Sequence, residues 1–175
     1  MHPYKSEPLS RKSISSMTMY LRRFLKLENR LYFPIMGLLE SLQEISKPFY
    51  LSVVPDKDLP KNLEAYTDVL KHVITIKQSV YDGACNGNGR ARFTIAHEIG
   101  HYMLAQVFGV RFQRNLPKSP MRRCENPEWQ ADAFAGELLV PADLLRGMSA
   151  DEIRRECGVS SEAARVQLKL MEGRR

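Results

Sequence analysis

His97-Glu98-Ile99-Gly100-His101 limits what this chain can fold into more than any other segment. On a helix, residues four apart stand one turn above each other, so His97 and His101 present ring nitrogens to one ion. Glu98 is offset from that chelate yet near enough to reach a water on the ion. Ile95, Ile99 and Met103 give the same helix an apolar face, so it can be buried with its polar edge on a cleft. Two histidines and a glutamate buried without an ion would be costly. The stretch from Arg90 to Phe108, stopped by Gly109, therefore reads as a helix carrying part of a metal site.

A catalytic zinc site takes three protein ligands and leaves one position open. The other histidines, His2 and His72, lie upstream in ordinary surroundings. Downstream, Asn126 and Pro127 are placed to open a second helix that ends at Pro141. It offers Glu128, Asp132 and Glu137; the first two share a face, and Glu137 lies off it. Ala131 and Ala135 flank that face and would let the helix approach the first one closely. Glu128 is assigned as the third ligand and Asp132 as the acceptor that orients a ligand histidine through its other ring N–H. The reverse assignment stays open.

With one Zn²⁺ per chain on His97, His101 and Glu128, Glu98 is placed to take a proton from the metal's water and pass it to a leaving amine. Amide hydrolysis is the reaction class this implies. Manganese or iron would also suit two histidines and a carboxylate. No histidine follows His101 and no tyrosine follows Tyr102. Support for the oxyanion must then come from Tyr66, Tyr81, His72, Arg122 or Arg123, and the sequence does not choose among them.

The rest of the chain supplies a frame. Residues 1–13 are polar with two prolines and read as a disordered arm. Ile14, Met17, Leu21, Phe24 and Leu25 fall at helical spacing, as do Ile35, Leu38, Leu39, Leu42 and Ile45 between Pro34 and Pro48. Phe49 to Val54, Leu63 to Thr67 and Val73 to Lys77 read as strands of a small sheet. The turn-rich run from Asp82 to Gly89 reads as a connection, since it lacks the Gly-Lys-Ser/Thr ending of a phosphate loop. Ser149 and Glu152 make a capping box, and Gly158 separates two short tail helices.

Composition excludes other classes. The chain has 175 residues, 43% of them apolar and 26% charged, as expected of one soluble domain. The longest apolar run, Leu31 to Leu39, is nine residues long and holds Pro34 and Gly37, so no membrane span is expected. No secretory signal is legible, and Cys85, Cys124 and Cys157 suggest neither a disulfide framework nor a metal knuckle; the cytoplasm is the expected compartment. A net charge of +6 permits an acidic or nucleic-acid partner without requiring one.

The segments Arg-Phe-Thr-Ile-Ala-His-Glu-Ile-Gly-His at 92–101 and Glu-Trp-Gln-Ala-Asp-Ala-Phe-Ala-Gly-Glu-Leu-Leu-Val-Pro at 128–141 resemble the ImmA/IrrE family of metallopeptidases. The resemblance is looser upstream and fades over residues 1–30. It implies an α+β, zincin-like single domain: a small mixed sheet packed on helices, the histidine helix at the site and a helical C-terminal part. Residues 1–30 would be an arm and helix, 31–148 the core, and 149–175 a tail within the same domain. The resemblance also implies metal ligands at His97, His101 and Glu128 and a general base at Glu98. The implied substrate is a helix-turn-helix transcriptional repressor, whose cleavage relieves repression of stress-response or mobile-element genes. The end at Arg175 reads as lacking the C-terminal sensor domain of longer members.

A reading from another class is a non-catalytic binding protein that sequesters a repressor or toxin. Two segments bear on partners. Arg111, Arg114, Lys118, Arg122 and Arg123 make the loop between the site helices basic, and it is expected to wall the cleft and attract an acidic substrate segment, or to help approach DNA-bound repressor. The tail has the rhythm of a helix-turn-helix, but Arg154 stands where such motifs want a small residue. With seven Lys/Arg against nine Asp/Glu over residues 127–175, packing is favoured there over DNA reading.

Overall fold

The computed structural model describes residues 4–114 and 120–173. His2 and Lys118 lie outside them. The chain is α+β and mostly helical. After β1 (Tyr4–Ser6) come α1 (Arg11–Phe24) and α2 (Ile35–Ile45), then β2 (Tyr50–Val54), β3 (Ala65–Asp68) and β4 (Val73–Lys77). Helices α3 (Gln78–Cys85) and α4 (Gly89–Tyr102) precede β5 (Phe112–Arg114), and α5 (Pro127–Leu139), α6 (Ala150–Cys157) and α7 (Ser161–Glu172) follow.

The mixed sheet runs β2-β4-β3, with β2 parallel and β3 antiparallel to β4. Ile74 and Ile76 of the middle strand are fully buried. β3 is an edge, bonded on one side only within this sheet.

Helices α4 and α5 form the centre of the core. Ile95 and Ile99 of the first meet Phe134 and Leu138 of the second among side chains with no solvent exposure. Gly100 lies tight against α5: a Cβ there would lie 3.2 Å from the Ala131 carbonyl oxygen and from the Phe134 ring. The glycine inside the histidine motif is thus a packing requirement between the two helices.

Local chemistry sets the ends. The Asn88 side chain accepts from the backbone N–H groups of Arg90 and Ala91 at the start of α4, and Asn126 accepts from Glu128 at the start of α5, where Pro127 needs no partner. The capping box of Ser149 and Glu152 opens α6, and Gly158 closes it at φ +62°. Beyond Tyr102, α4 widens into a π-helical turn over Met103–Val107 before Gly109 stops it.

Two expectations need correction. Residues 82–85 are the second half of α3 and not a connection. Gln78 donates to Asp82 one turn on, Val80 and Ala84 are buried, and a Cβ at Gly83 would lie 3.3 Å from that of Ala91, so packing overrides the turn-rich composition. The arm is also ordered from Tyr4. β1 pairs antiparallel with β5, setting Tyr4 opposite Arg114 and Ser6 opposite Phe112, and the Ser6 hydroxyl donates to the Glu125 carbonyl. The basic loop supplies the partner strand that the arm's own composition does not reveal.

Two buried guanidiniums tie the outer segments to this core. Arg22 donates to the carbonyls of Leu138, Leu27, Arg30 and Leu31. Arg92, on α4, donates to those of Gly158, Cys157 and Phe33 and to the Tyr32 hydroxyl. The tail is packed as well as tethered: a Cβ at Gly89 would collide with the Val159 backbone carbonyl. Ile153, Cys157 and Ala164 are buried, while Arg154 stays half-exposed near Asp151. Among the described residues no helix is long and apolar enough to cross a membrane.

Candidate metal centre

His97 and His101, one turn apart on α4, aim their Nε2 atoms at the same point, 3.0 Å from each other. Glu128, in the first turn of α5, completes the group. Its Oε2 lies 3.3 Å from His97 Nε2 and its Oε1 3.4 Å from His101 Nε2. Donors about 2.0–2.1 Å from a tetrahedral zinc stand about 3.3–3.4 Å apart, the edge of the tetrahedron. The three separations match that edge within a few tenths of an ångström, and the donor set is one that zinc accepts. His97, His101 and Glu128 could therefore hold a metal ion.

The surroundings favour a cation. Burial opposes protonation of His97, but hydrogen bonds to Asp132 and Glu128, with the charge of Glu98 nearby, outweigh it and push its pKa up to about 10. Hydrogen bonds from His101 and His97 hold the Glu128 carboxyl far below the usual carboxylate range. On its other side His97 Nδ1 meets Asp132 Oδ1 at 2.8 Å, which leaves Nε2 to face the group. Glu137, the remaining carboxylate of α5, points away and accepts from Arg11 Nε at 2.8 Å.

Glu98 is buried, with 7% of its surface exposed. Its Oε2 accepts from the Thr67 hydroxyl at 2.7 Å, a link from the metal helix to edge strand β3. Thr67 carries no signal in the sequence, because its partner stands 31 residues away and nothing local marks it.

Two cavities flank the group, and Glu98 lines both. The larger, of about 860 Å³, runs past His101 and Glu128 and is walled by Tyr4, Tyr66, Leu70 and Phe112. The other, of about 440 Å³, runs past His97 and Asp132 between Lys61, Arg90 and Thr94. One side is apolar and the other charged. Phe112 shows that the loop between the site helices does wall the cleft, joined by Tyr4 from the arm.

The remaining candidates are dispersed. Tyr66 lines the larger cavity. Tyr81 lies outside both cavities and donates to Glu40 Oε1 at 2.8 Å, a bond that with burial pushes its hydroxyl up to about 12. Arg122 is largely exposed and pairs with Glu125 at 3.2 Å. Arg123 stacks over Trp129, 5.3 Å from the ring centroid, and faces a third cavity. His72 packs edge-on toward Tyr102 and lines neither cavity of the cleft.

Residues 57–169 match the peptidase family described as the IrrE N-terminal-like domain. Among solved structures the chain resembles a Mycobacterium tuberculosis transcriptional regulator, with a TM-score of 0.57 and 15% identity, over 89% of this chain and 46% of that one. The chain thus spans about half the length of that regulator, and at this identity the likeness is one of fold. No curated protein matches the chain significantly.

Proposed function

The chain belongs to the peptidase family of IrrE N-terminal-like domains, and on that footing we propose that it is a zinc-dependent endopeptidase of narrow specificity acting in the cytoplasm. The observation that carries this reading is the spacing of the His97, His101 and Glu128 ligand atoms, with the buried Glu98 carboxylate beside them. A bound zinc ion would supply a water of lowered pKa and a Lewis acid for the substrate carbonyl.

The chain's own residues do the rest. Glu98 accepts a proton and returns it to the leaving amine, while the Thr67 hydroxyl fixes the carboxylate that does so. Asp132 fixes the tautomer and tilt of His97. Edge strand β3, whose Ala65, Tyr66, Thr67 and Asp68 line the larger cavity, aligns an extended substrate along the cleft. We assign support of the oxyanion to Tyr66, which lines the same cavity.

The substrate we assign is a helix-turn-helix repressor, cut to relieve repression of stress-response or mobile-element genes. The three cysteines, Cys85, Cys124 and Cys157, are unpaired thiols, as a reducing compartment keeps them. The test is co-expression with the repressor encoded beside the gene, the parent chain against Glu98→Gln, read by mass. A truncated repressor with the parent and an intact one with the variant, at equal zinc content, is the expected outcome. Equal cleavage by both would reject the mechanism, and an intact repressor in both would reject the substrate.

A further inference from the structure

We propose that the ribbon of β1 and β5 sets specificity at the cleft: Tyr4 and Phe112 grip a large apolar side chain of the substrate, aromatic by preference, beside the metal group. The inference deepens the peptidase reading and rests on it. Residues two apart on a strand share a face. Ser6 stands opposite Phe112 in the antiparallel register, so Tyr4 and Phe112 lie on one face of the ribbon. Both line the larger cavity, which also runs past His101 and Glu128. Tyr4 falls outside residues 57–169, so the family match does not account for this wall.

The ribbon is anchored to the helix that carries Glu128. The buried Gln130 of α5 donates to the carbonyls of Glu7 and Cys124, both at 2.7 Å. The Leu9 N–H donates to the Cys124 carbonyl, and the Ser6 hydroxyl to that of Glu125. Despite this anchoring the rings stay uncovered: Tyr4 is 55% exposed and Phe112 38%. Leu70, almost wholly exposed, lines the same cavity. A single exposed apolar residue is ordinary, but three gathered on one cavity beside a metal group mark a binding surface. Covering them with an apolar side chain is favourable.

Charge points the same way. Asp68, Glu98, His101 and Glu128 line this cavity, and among the described residues no lysine or arginine does. Each of the three acids has a partner. Asp68 pairs with Lys71 at 3.3 Å, Glu98 accepts from Thr67, and Glu128 meets both histidines. An acidic side chain would meet like charge, and a basic one would have to displace an existing partner. A neutral apolar group meets neither cost.

Short hydroxamates bind zinc through their own oxygens, so their side chains probe the cavity without turnover. Calorimetry on the zinc-loaded full chain should show 3-phenylpropanohydroxamate binding about tenfold or more tightly than acetohydroxamate. Succinic monohydroxamate and 4-aminobutanohydroxamate should gain little over acetohydroxamate. Tyr4→Ala and Phe112→Ala should each remove most of the aryl gain while leaving zinc content and acetohydroxamate binding unchanged; Tyr4→Phe should keep the gain. Equal binding of the aryl and methyl probes, a charged probe that matches the aryl one, or an aryl gain indifferent to both alanine variants would overturn the proposal with the metal group intact. No binding of any hydroxamate would overturn the metal reading and the proposal together. An aryl gain lost in both alanine variants, in a chain that cuts no peptide, would uphold the wall and reject the peptidase.

Discussion

Nδ1 of His97 and Oδ1 of Asp132 stand 2.8 Å apart across the contact of α4 and α5, so the helix that brings Glu128 to the metal group also orients one of its histidines. Asp132 is more than half exposed and contributes little to the core. Asp132→Ala should therefore weaken zinc binding by about 10–100-fold, and it should also lower the melting temperature of the metal-free chain, where the carboxylate bonds a His97 whose pKa it raises. Competition with a chelator dye, run alongside a melting curve, checks both halves.

Thr67 holds Glu98 from the neighbouring sheet. Thr67→Val removes the hydroxyl and keeps the shape, so zinc content should stay at one per chain while kcat falls about tenfold, the worth of one hydrogen bond to a charged group. Thr67→Ser should recover most of the loss. Unaltered kcat in the valine variant would remove Thr67 from the mechanism.

Gly100 faces the Ala131 carbonyl oxygen and the Phe134 ring at contact distance. Gly100→Val must push α5 outward, and Glu128 and Asp132 travel with it. Overpacking of this kind costs about 1–3 kcal/mol. The separate expectation is a loss of zinc affinity larger than the loss of stability would suggest, measured by metal content after dialysis.

Glu125 provides the pH test. Hydrogen bonds from the Arg122 side chain and backbone N–H hold its carboxyl at about 2, well below the ordinary carboxylate value. A carboxyl depressed in the folded state adds stability above its unfolded pKa, near 4.3, and loses it as the pH falls from there through about 2. Glu125→Gln should flatten the dependence of unfolding stability on pH across that window. Denaturant titrations at several acidic pH values would show it, and parallel curves for the two proteins would refute it.

The pair of histidines, the caps at Asn126 and Ser149 and the stop at Gly158 were all legible, because each depends on residues within one or two turns of each other. The three strands were legible from β-branched runs; their order was not, since pairing β2 parallel to β4 with β3 outside is decided by long-range packing. The choice among Glu128, Asp132 and Glu137 turned on how α5 is rotated against α4. The structure sets the first against both imidazoles, the second behind His97 and the third on Arg11. Thr67, Tyr4 and Phe112 escaped notice because their place at the cleft depends on partners far away in sequence.

Arg92 makes the last part of the chain inseparable from the first. Its guanidinium is almost fully enclosed and is satisfied by carbonyls of the segment around Gly158 and of Phe33. A chain shortened to residue 148 would keep every side chain of the metal group and yet leave a full positive charge facing removed acceptors, a defect of about 3–5 kcal/mol. Set against the few kilocalories by which a domain of this size stays folded, the closing helices act as a keel: the vessel that carries the histidines does not float upright without them.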